Sequence, residues 1–331
     1  MSTSIEWTDV TWNPVRGCSR VSPGCDHCYA MGQAHRFSGA GVQDPSGDRS
    51  LDKAPGPYHG LTVLRPKTAS RPGVDWSGRV RFVPEMLDVP LRWREPQRVF
   101  VNSMSDLFHE SLTFEQVAEV FAVMAVAARR FGGDYKKGLG WVNQRGPHTF
   151  QVLTKRPVRA SELLLSPRFR RLVADAAYRW AMDRVDAGWL QQCISGVREW
   201  GNNCTLDEMW PLPNVHLGVS VEDRAAKYRI DELRGLPAAL RFLSLEPLLE
   251  DLGELDLRGI GWVIVGGESG NGARPFDAWW AQDIVRQCRE AAVPVFYKQG
   301  GRSNACKHDR KGGCLDCMPS HLRVREFPRG A

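Results

Sequence analysis

No apolar run in this sequence approaches the roughly 20 residues that a membrane-spanning helix needs, so no such span is expected. The opening stretch, MSTSIEWTDV, has no basic region leading into an apolar one. The expectation is therefore a chain without a signal peptide, placed in the cytoplasm and independent of membranes. No unit repeats at a fixed period, no tract is of low complexity, and no linker divides the chain. No HExxH or comparable motif is present, which disfavours a zinc hydrolase. Charge of one sign is scarce too: 44 Lys and Arg face 38 Asp and Glu, a net +6 over 331 residues. So mild an excess permits an anionic partner without demanding one.

What is present is the balance of a globular protein, 42% hydrophobic and 25% charged. Seven short apolar or β-branched runs read as strands: VTWNPV (10–15), RVFVNS (98–103), HTFQVLT (148–154), VHLGVSV (215–221), LRFLSLEP (240–247), WVIVGGES (262–269) and PVFYKQ (294–299). Segments of helical spacing lie between most of them. TFEQVAEVFAVMAVAAR (113–129) has Thr113 as its N-cap, and DAWWAQDIVRQCREAA (277–292) has Asp277. This alternation argues for a parallel sheet of βα units. Three stretches interrupt it. Residues 38–79 are rich in Gly, Pro and Ser and read mainly as loop. Residues 130–147, with FGGDYKKGLG, read as another loop. Residues 161–213 carry the helix PRFRRLVADAAYRWAMDRV and then a polar stretch.

Polar residues gather where the apolar runs stop. They are Asn102, Ser103 and Asp106; Thr154, Lys155 and Arg156; Ser220, Glu222 and Asp223; Ser244 and Glu246; and Gly266, Gly267, Glu268 and Ser269. One polar strand end means little, because strands stop at polar residues anyway. Five that bear carboxylates, hydroxyls or bases argue for a shared pocket, since a parallel barrel places its active face at the C-terminal strand ends.

The nine cysteines fall unevenly. Cys193, Cys204 and Cys288 are scattered and read as small packed side chains. Cys18, Cys25 and Cys28 open the chain in GCSRVSPGCDHCYA, and Cys306, Cys314 and Cys317 lie near its end. Where thiols stay reduced, clustered cysteines are more often ligands or catalysts than disulfides. The opening trio suits zinc, with His27 or His35 as fourth ligand, or iron. His27 sits between Cys25 and Cys28, where its ring is expected to point away from their shared ligand. A 4Fe–4S cluster on three cysteines leaves one iron open to the amino and carboxylate groups of S-adenosylmethionine. The usual Cx₃Cx₂C spacing is only half met, because the first gap is six residues. Tyr29 follows the last cysteine, and Gly17, Pro23 and Gly24 suit a loop that wraps a cluster.

IEWTDVTWNPVRGCSRVSPGCDHCYA closely resembles the opening of a phage-associated three-cysteine-motif family that is radical-S-adenosylmethionine-like. The resemblance continues through VFVNSMSDLFHE, HTFQVLTKRP, LGVSVEDRAAKYRI, RFLSLEPLL and VGGESGNGARP, from about residue 5 to 300. It implies an α/β fold: a partial (β/α) barrel of about six or seven parallel strands over 1–300, with loop and helical insertions near 38–79, 130–147 and 161–213. A cysteine-containing tail, 301–331, follows. It also implies a 4Fe–4S cluster on Cys18, Cys25 and Cys28, and use of S-adenosylmethionine. Asn102, Ser103 and Asp106 stand where radical barrels meet the methionine amine or carboxylate. Ser220, Glu222 and Glu246 are candidates for the ribose and adenine. Gly266, Gly267 and Glu268 either bring backbone amides to a ligand or make a tight strand-to-loop turn. Lys155 and Arg156 either meet a phosphate or cofactor carboxylate or form a solvated basic turn before Pro157.

The tail segment, ACKHDRKGGCLDCMPSH, adds His308 and His321 to its three cysteines. A zinc ion, an auxiliary iron–sulfur cluster with a ligand from elsewhere, and a metal-free stretch of reduced thiols all remain open. Two functions compete. One is a radical enzyme, served by an electron donor and acting on a nucleic acid, nucleotide or other anion. The other is a metal-stabilised nucleic-acid-binding protein without catalysis. Both accommodate the arginines at 79, 81, 92, 94, 98, 168, 170 and 171, many of which would serve equally well as solvated surface.

Overall fold

The computed structural model describes residues 3–39, 55–66, 73–128, 132–136, 140–145, 147–182, 210–269, 272–301, 306–309 and 312–328. All seven apolar runs contribute strands to one sheet: β1 (Val10–Trp12), β2 (Arg98–Val101), β3 (Thr149–Thr154), β4 (Val215–Ser220), β5 (Leu240–Leu245), β6 (Trp262–Gly266) and β7 (Val295–Gln299). Their order in space is their order in the chain, and every neighbouring pair is parallel. Among the described residues β1 and β7 do not pair, so the curved sheet is a partial (β/α) barrel.

The strands read as near-continuous apolar runs because both faces are covered. Side chains alternate between faces with a period of two. One set, including Val99, Val101, Phe150, Val152, Leu217, Val219, Leu243 and Val263, joins the main core shared with the helices. The other set, Phe100, Phe242, Trp262, Ile264 and Phe296, meets Trp7 in a separate aromatic cluster. Full burial of each such side chain contributes about 1.5–3 kcal/mol relative to exposure. Gly218 makes room for this inner cluster, since a Cβ there would lie 2.5 Å from the Phe242 ring.

The helices are α1 (Tyr29–Arg36), α2 (Phe114–Ala128), α3 (Pro157–Leu164), α4 (Pro167–Met182), α5 (Tyr228–Arg234) and α6 (Ala278–Glu290). Thr113 starts α2 with a reciprocal cap: its Oγ1 accepts from Gln116 N at 3.2 Å, and its own N donates to Gln116 Oε1 at 3.0 Å. Asp277 caps α6 by accepting from Trp279 N at 2.9 Å. Pro157 and Pro167 occupy first-turn positions, where the missing N–H costs nothing. No described helix is long and apolar enough to cross a membrane.

The two stretches read as loop contain antiparallel hairpins. Thr62–Arg65 pairs with Gly73–Trp76, and Gly132–Lys136 pairs with Gly140–Arg145. Their strands are short and carry Gly and charge, so neither shows the apolar run by which the barrel strands announce themselves. The polar part of 161–213 beyond Met182 lies largely outside the described residues.

Candidate functional site

The inward-facing residues change character along each strand. Phe100 is followed two residues on by Asn102, Leu153 by Lys155, Phe242 by Ser244 and Glu246, and Phe296 by Lys298. The barrel is therefore apolar at its base and polar at its C-terminal mouth. A cavity of about 220 Å³ opens there. Cys18, Cys25 and Cys28 all line it, together with Asn102, Ser103, Asp106, Ser220, Ser244, Glu246, Gly267 and Glu268. Five strand ends and the cysteine loop thus share one space. Of the nine residues proposed to bind cofactor, seven reach the cavity, while Glu222 and Gly266 do not line it.

The cysteine loop is held by buried ion pairs from the strand ends. Glu222, just past β4, is fully buried and pairs with Lys155 Nζ at 2.9 Å and Arg229 Nη1 at 2.8 Å. It also accepts from the Ser22 hydroxyl in the loop. Burial opposes its charge, but Lys155, Arg229 and Ser22 outweigh that and hold its pKa below the usual carboxylate range. Gly24 rests directly on it, and a Cβ there would lie 2.5 Å from Glu222 Oε1.

Arg156, just past β3, carries the other side of the loop. It donates to Ser19 O at 3.1 Å and Ser19 Oγ at 2.8 Å, and pairs with Asp106 at 3.2 Å and Glu110 at 2.9 Å. Its side chain is only 4% exposed, so a solvated basic turn before Pro157 is not what forms. Asp106 is occupied as well, accepting from Thr154 Oγ1, Phe108 N and Lys155 N besides Arg156. Glu268 takes His27 Nδ1 at 2.9 Å and Arg274 Nη2 at 2.6 Å. His27 thus lines the cavity beside the three cysteines, with its ring engaged by Glu268, which lines it too. His35 instead lies 3.4 Å from the Thr62 hydroxyl.

Cys18 and Cys28 are held in the protonated form. Burial, reinforced by the Asp106 charge and only partly offset by Arg156, pushes Cys18 up to about 12. Burial pushes Cys28 up as well. A metal binding here must displace those protons. One donor at the mouth is spare. Asn102 adopts φ 59°, its Oδ1 accepts from Val15 N at 3.3 Å, and its buried Nδ2 has no partner. Leaving such a donor unpaired costs about 1–3 kcal/mol, which a ligand acceptor would relieve.

Gly266 and Gly267 serve the sheet. Gly267 N donates to Gln299 O at 2.8 Å, and a Cβ on Gly267 would lie 2.9 Å from Phe276 and 3.0 Å from Gly300. The tight turn is thus the reading that the packing favours. Besides Ser19, Ser22, Glu110 and Arg229, which support the loop, Lys298 and Arg274 were not singled out in the sequence. Lys298 reaches Glu246 at 2.6 Å, and both line the cavity. Its signal was alternation along PVFYKQ, which puts position 298 on the inner face. Arg274 carried no comparable signal, since it acts from the loop after β6.

Near the C-terminus, Cys306, His308, Cys314 and Cys317 bring one ligand atom each to within 4.8 Å of all the others. No other group of three or more His, Cys, Asp or Glu side chains does so among the described residues. His321 is outside this group. Cys288 is fully buried, as a packed side chain should be, and Cys193 and Cys204 lie outside the described residues. Several surface arginines are engaged within the chain: Arg92 with Asp88, Arg98 with Asp9 and Arg168 with Glu115.

These features define an α/β protein with a partial parallel barrel, whose strand ends and three-cysteine loop enclose a polar-mouthed cavity. The chain belongs to the DUF5131 family, described as a protein of unknown function, whose model matches residues 2–131 and 136–319. No curated protein and no solved structure matches it.

Proposed function

We propose that this chain is an iron–sulfur enzyme of the radical S-adenosylmethionine type. Its opening cysteines would hold a 4Fe–4S cluster, and its substrate would be a nucleic acid or nucleotide. The observation that carries this reading is the convergence of Cys18, Cys25 and Cys28 on the same cavity as the polar ends of the barrel strands. The resemblance of the sequence blocks to a phage-associated radical family supports it, and that resemblance, the net charge of +6 and the arginine-bearing loops together motivate the substrate class.

The residues fit the group. The three thiols face the cavity, and His27, which also lines it, is engaged by Glu268 at 2.9 Å, so the thiols are a donor set suited to iron–sulfur ligation with one position left for a cofactor. Their sulfurs are not gathered within 4.8 Å, as those of the tail group are. A single tetrahedral zinc would require sulfurs about 3.8 Å apart. When bound, such a cluster supplies the electron that cleaves S-adenosylmethionine. The protein does the rest. Arg156 and Glu222 fix the loop that carries the thiols. Asn102 offers its free Nδ2 to an acceptor on the cofactor. The Glu246–Lys298 pair presents both charges at the rim, and the aromatic base closes the cavity to water from below.

Anaerobic reconstitution with iron and sulfide tests the reading. The wild type is expected to gain cluster absorbance and, with a strong reductant, to convert S-adenosylmethionine to methionine and 5′-deoxyadenosine. A Cys18→Ala, Cys25→Ala, Cys28→Ala variant is expected to do neither. A wild-type protein with a full cluster but no cofactor binding and no cleavage would favour the second reading, a metal-stabilised nucleic-acid-binding protein. The compact tail group is what speaks for that alternative.

A further inference from the structure

The tail group is independent of the barrel cavity, and its geometry is specific. His308 Nδ1 lies 3.3 Å from Cys317 Sγ and 3.8 Å from Cys314 Sγ. Around one tetrahedral zinc, with Zn–S near 2.3 Å and Zn–N near 2.0–2.1 Å, sulfur–sulfur edges are about 3.8 Å and nitrogen–sulfur edges about 3.6 Å. The observed spacings straddle these values, and all four ligand atoms fit within 4.8 Å. An iron–sulfur cluster spreads its thiolates around several metal atoms, so it needs a wider ring than this. The donors also favour zinc, because Cys₃His is a standard closed set for it.

The surrounding backbone is that of a ligand turn. Cys317 N donates to Cys314 O at 3.2 Å and Met318 N to the same oxygen at 3.0 Å. Asp309 N donates to Cys306 Sγ at 3.3 Å, the kind of amide contact that stabilises a metal-bound thiolate.

We propose that Cys306, His308, Cys314 and Cys317 bind one structural zinc ion, which locks the tail against the outer edge of β7. That edge is already paired by the tail. Tyr297 N donates to Val324 O at 2.9 Å, and Glu326 N donates to Val295 O at 3.0 Å. Gly300 N donates to Gly312 O at 3.0 Å, and Arg325 Nη2 reaches Gly313 O at 2.9 Å. Met318, Leu322, Val324 and Pro328 are buried and Phe327 packs on Trp262 and Phe296, which anchors the end of the tail. Among the described residues from Cys306 to Cys317, only Gly312 and Gly313 are buried, so apolar packing does not hold that stretch. The zinc ties 306–308 to 314–317 and so fixes the start of the segment that covers β7. An exposed strand edge would otherwise invite pairing with another chain.

Metal content of the full chain, as purified without reconstitution, is the first measurement. About one zinc per chain is expected in the wild type and none in a Cys306→Ser, Cys314→Ser, Cys317→Ser variant, by a four-ligand site with no redundancy. Iron in place of zinc, or equal zinc in both proteins, overturns the assignment. Because that variant risks misfolding, cobalt exchange into the wild type gives a second readout. Tetrahedral thiolate bands are expected, retained but shifted in His308→Cys, and their absence from the wild type refutes the site. Chelation of the wild type is expected to speed amide exchange at Tyr297 and Glu326 about tenfold or more, while the β3–β4 amides hold. Unchanged exchange after zinc loss would refute the locking role. The comparison with the tail variants separates these readouts from any metal on the opening cysteines, which those variants leave intact.

Discussion

Glu222→Gln is the substitution that most directly tests how the cysteine loop is held. The exchange keeps the shape of the side chain and removes its charge. Lys155 and Arg229 are then left facing a neutral amide in a fully buried position. Breaking a buried pair by neutralising one partner costs about 3–5 kcal/mol, and the lower end applies because the glutamine oxygen still accepts one hydrogen bond. An unfolding entropy of about 2.1 cal/mol/K per residue gives about 0.7 kcal/mol/K for a chain of 331 residues. The variant should therefore melt about 4 °C lower near pH 7 by differential scanning calorimetry. The gap depends on pH with a definite sign. The folded pKa of Glu222 lies below its unfolded value of about 4.3, so its stabilisation is complete above that value and fades as the pH falls through the folded pKa. The two melting curves should accordingly converge in acid. Equal melting temperatures at pH 7, or a gap that widens on acidification, would refute the clamp.

Two further outcomes follow from the barrel interior and from the proposed substrate. His216 is buried with Nδ1 unpartnered, and burial lowers its pKa to about 4. NMR should show its ring neutral from pH 8 to about 5, and the group should cost stability as the pH falls from about 6.5 toward that value; a ring that titrates near 6.5 would sink this. With the cluster intact, single-stranded oligonucleotides should bind and weaken as salt rises, because phosphate contacts release counterions. No binding of single or double strands at low salt, even with tenfold more protein, would end the nucleic-acid proposal while leaving the cysteine ligation untouched.

The barrel was legible because a parallel sheet covered on both faces must be apolar on both. Runs such as VHLGVSV and WVIVGG are too short to cross a membrane as helices and suit buried strands, and all seven lie in one sheet in chain order. Two helix starts were legible for a local reason: Thr113 and Asp277 act on amides three and two residues away. The hairpins were not. TVLR has no buried residue and in GVDW only Asp75 and Trp76 are buried, so neither needs an apolar run, and their pairing depends on each other. Helix α1 was hidden too, because Gly32 interrupts it and Cys28 stands at its N-cap.

At the mouth of the barrel, position was legible and direction was not. A carboxylate after a strand end can face a ligand or a neighbouring loop, and nothing within a few residues decides which. Glu222 and the Ser22 hydroxyl it accepts from are 200 residues apart in the chain. Arg156 meets Ser19 across 137. Gly24 shows the difficulty most clearly. In the sequence it is one of several glycines in a flexible-looking loop, and its residue type suggests conformational freedom. In the structure its φ is not positive, and the need for glycine comes from a carboxylate 2.5 Å from where a Cβ would sit. The requirement belongs to Glu222 as much as to Gly24. It arises only once β4 has placed that carboxylate beneath the loop. The same holds for His308, which meets Cys314 and Cys317 only through the turn that carries them back beside it. Residue types and spacing therefore named the chemistry available at each end of the chain. Whether a given group grips the protein or is left for a ligand was decided by the long-range pairings of the folded barrel.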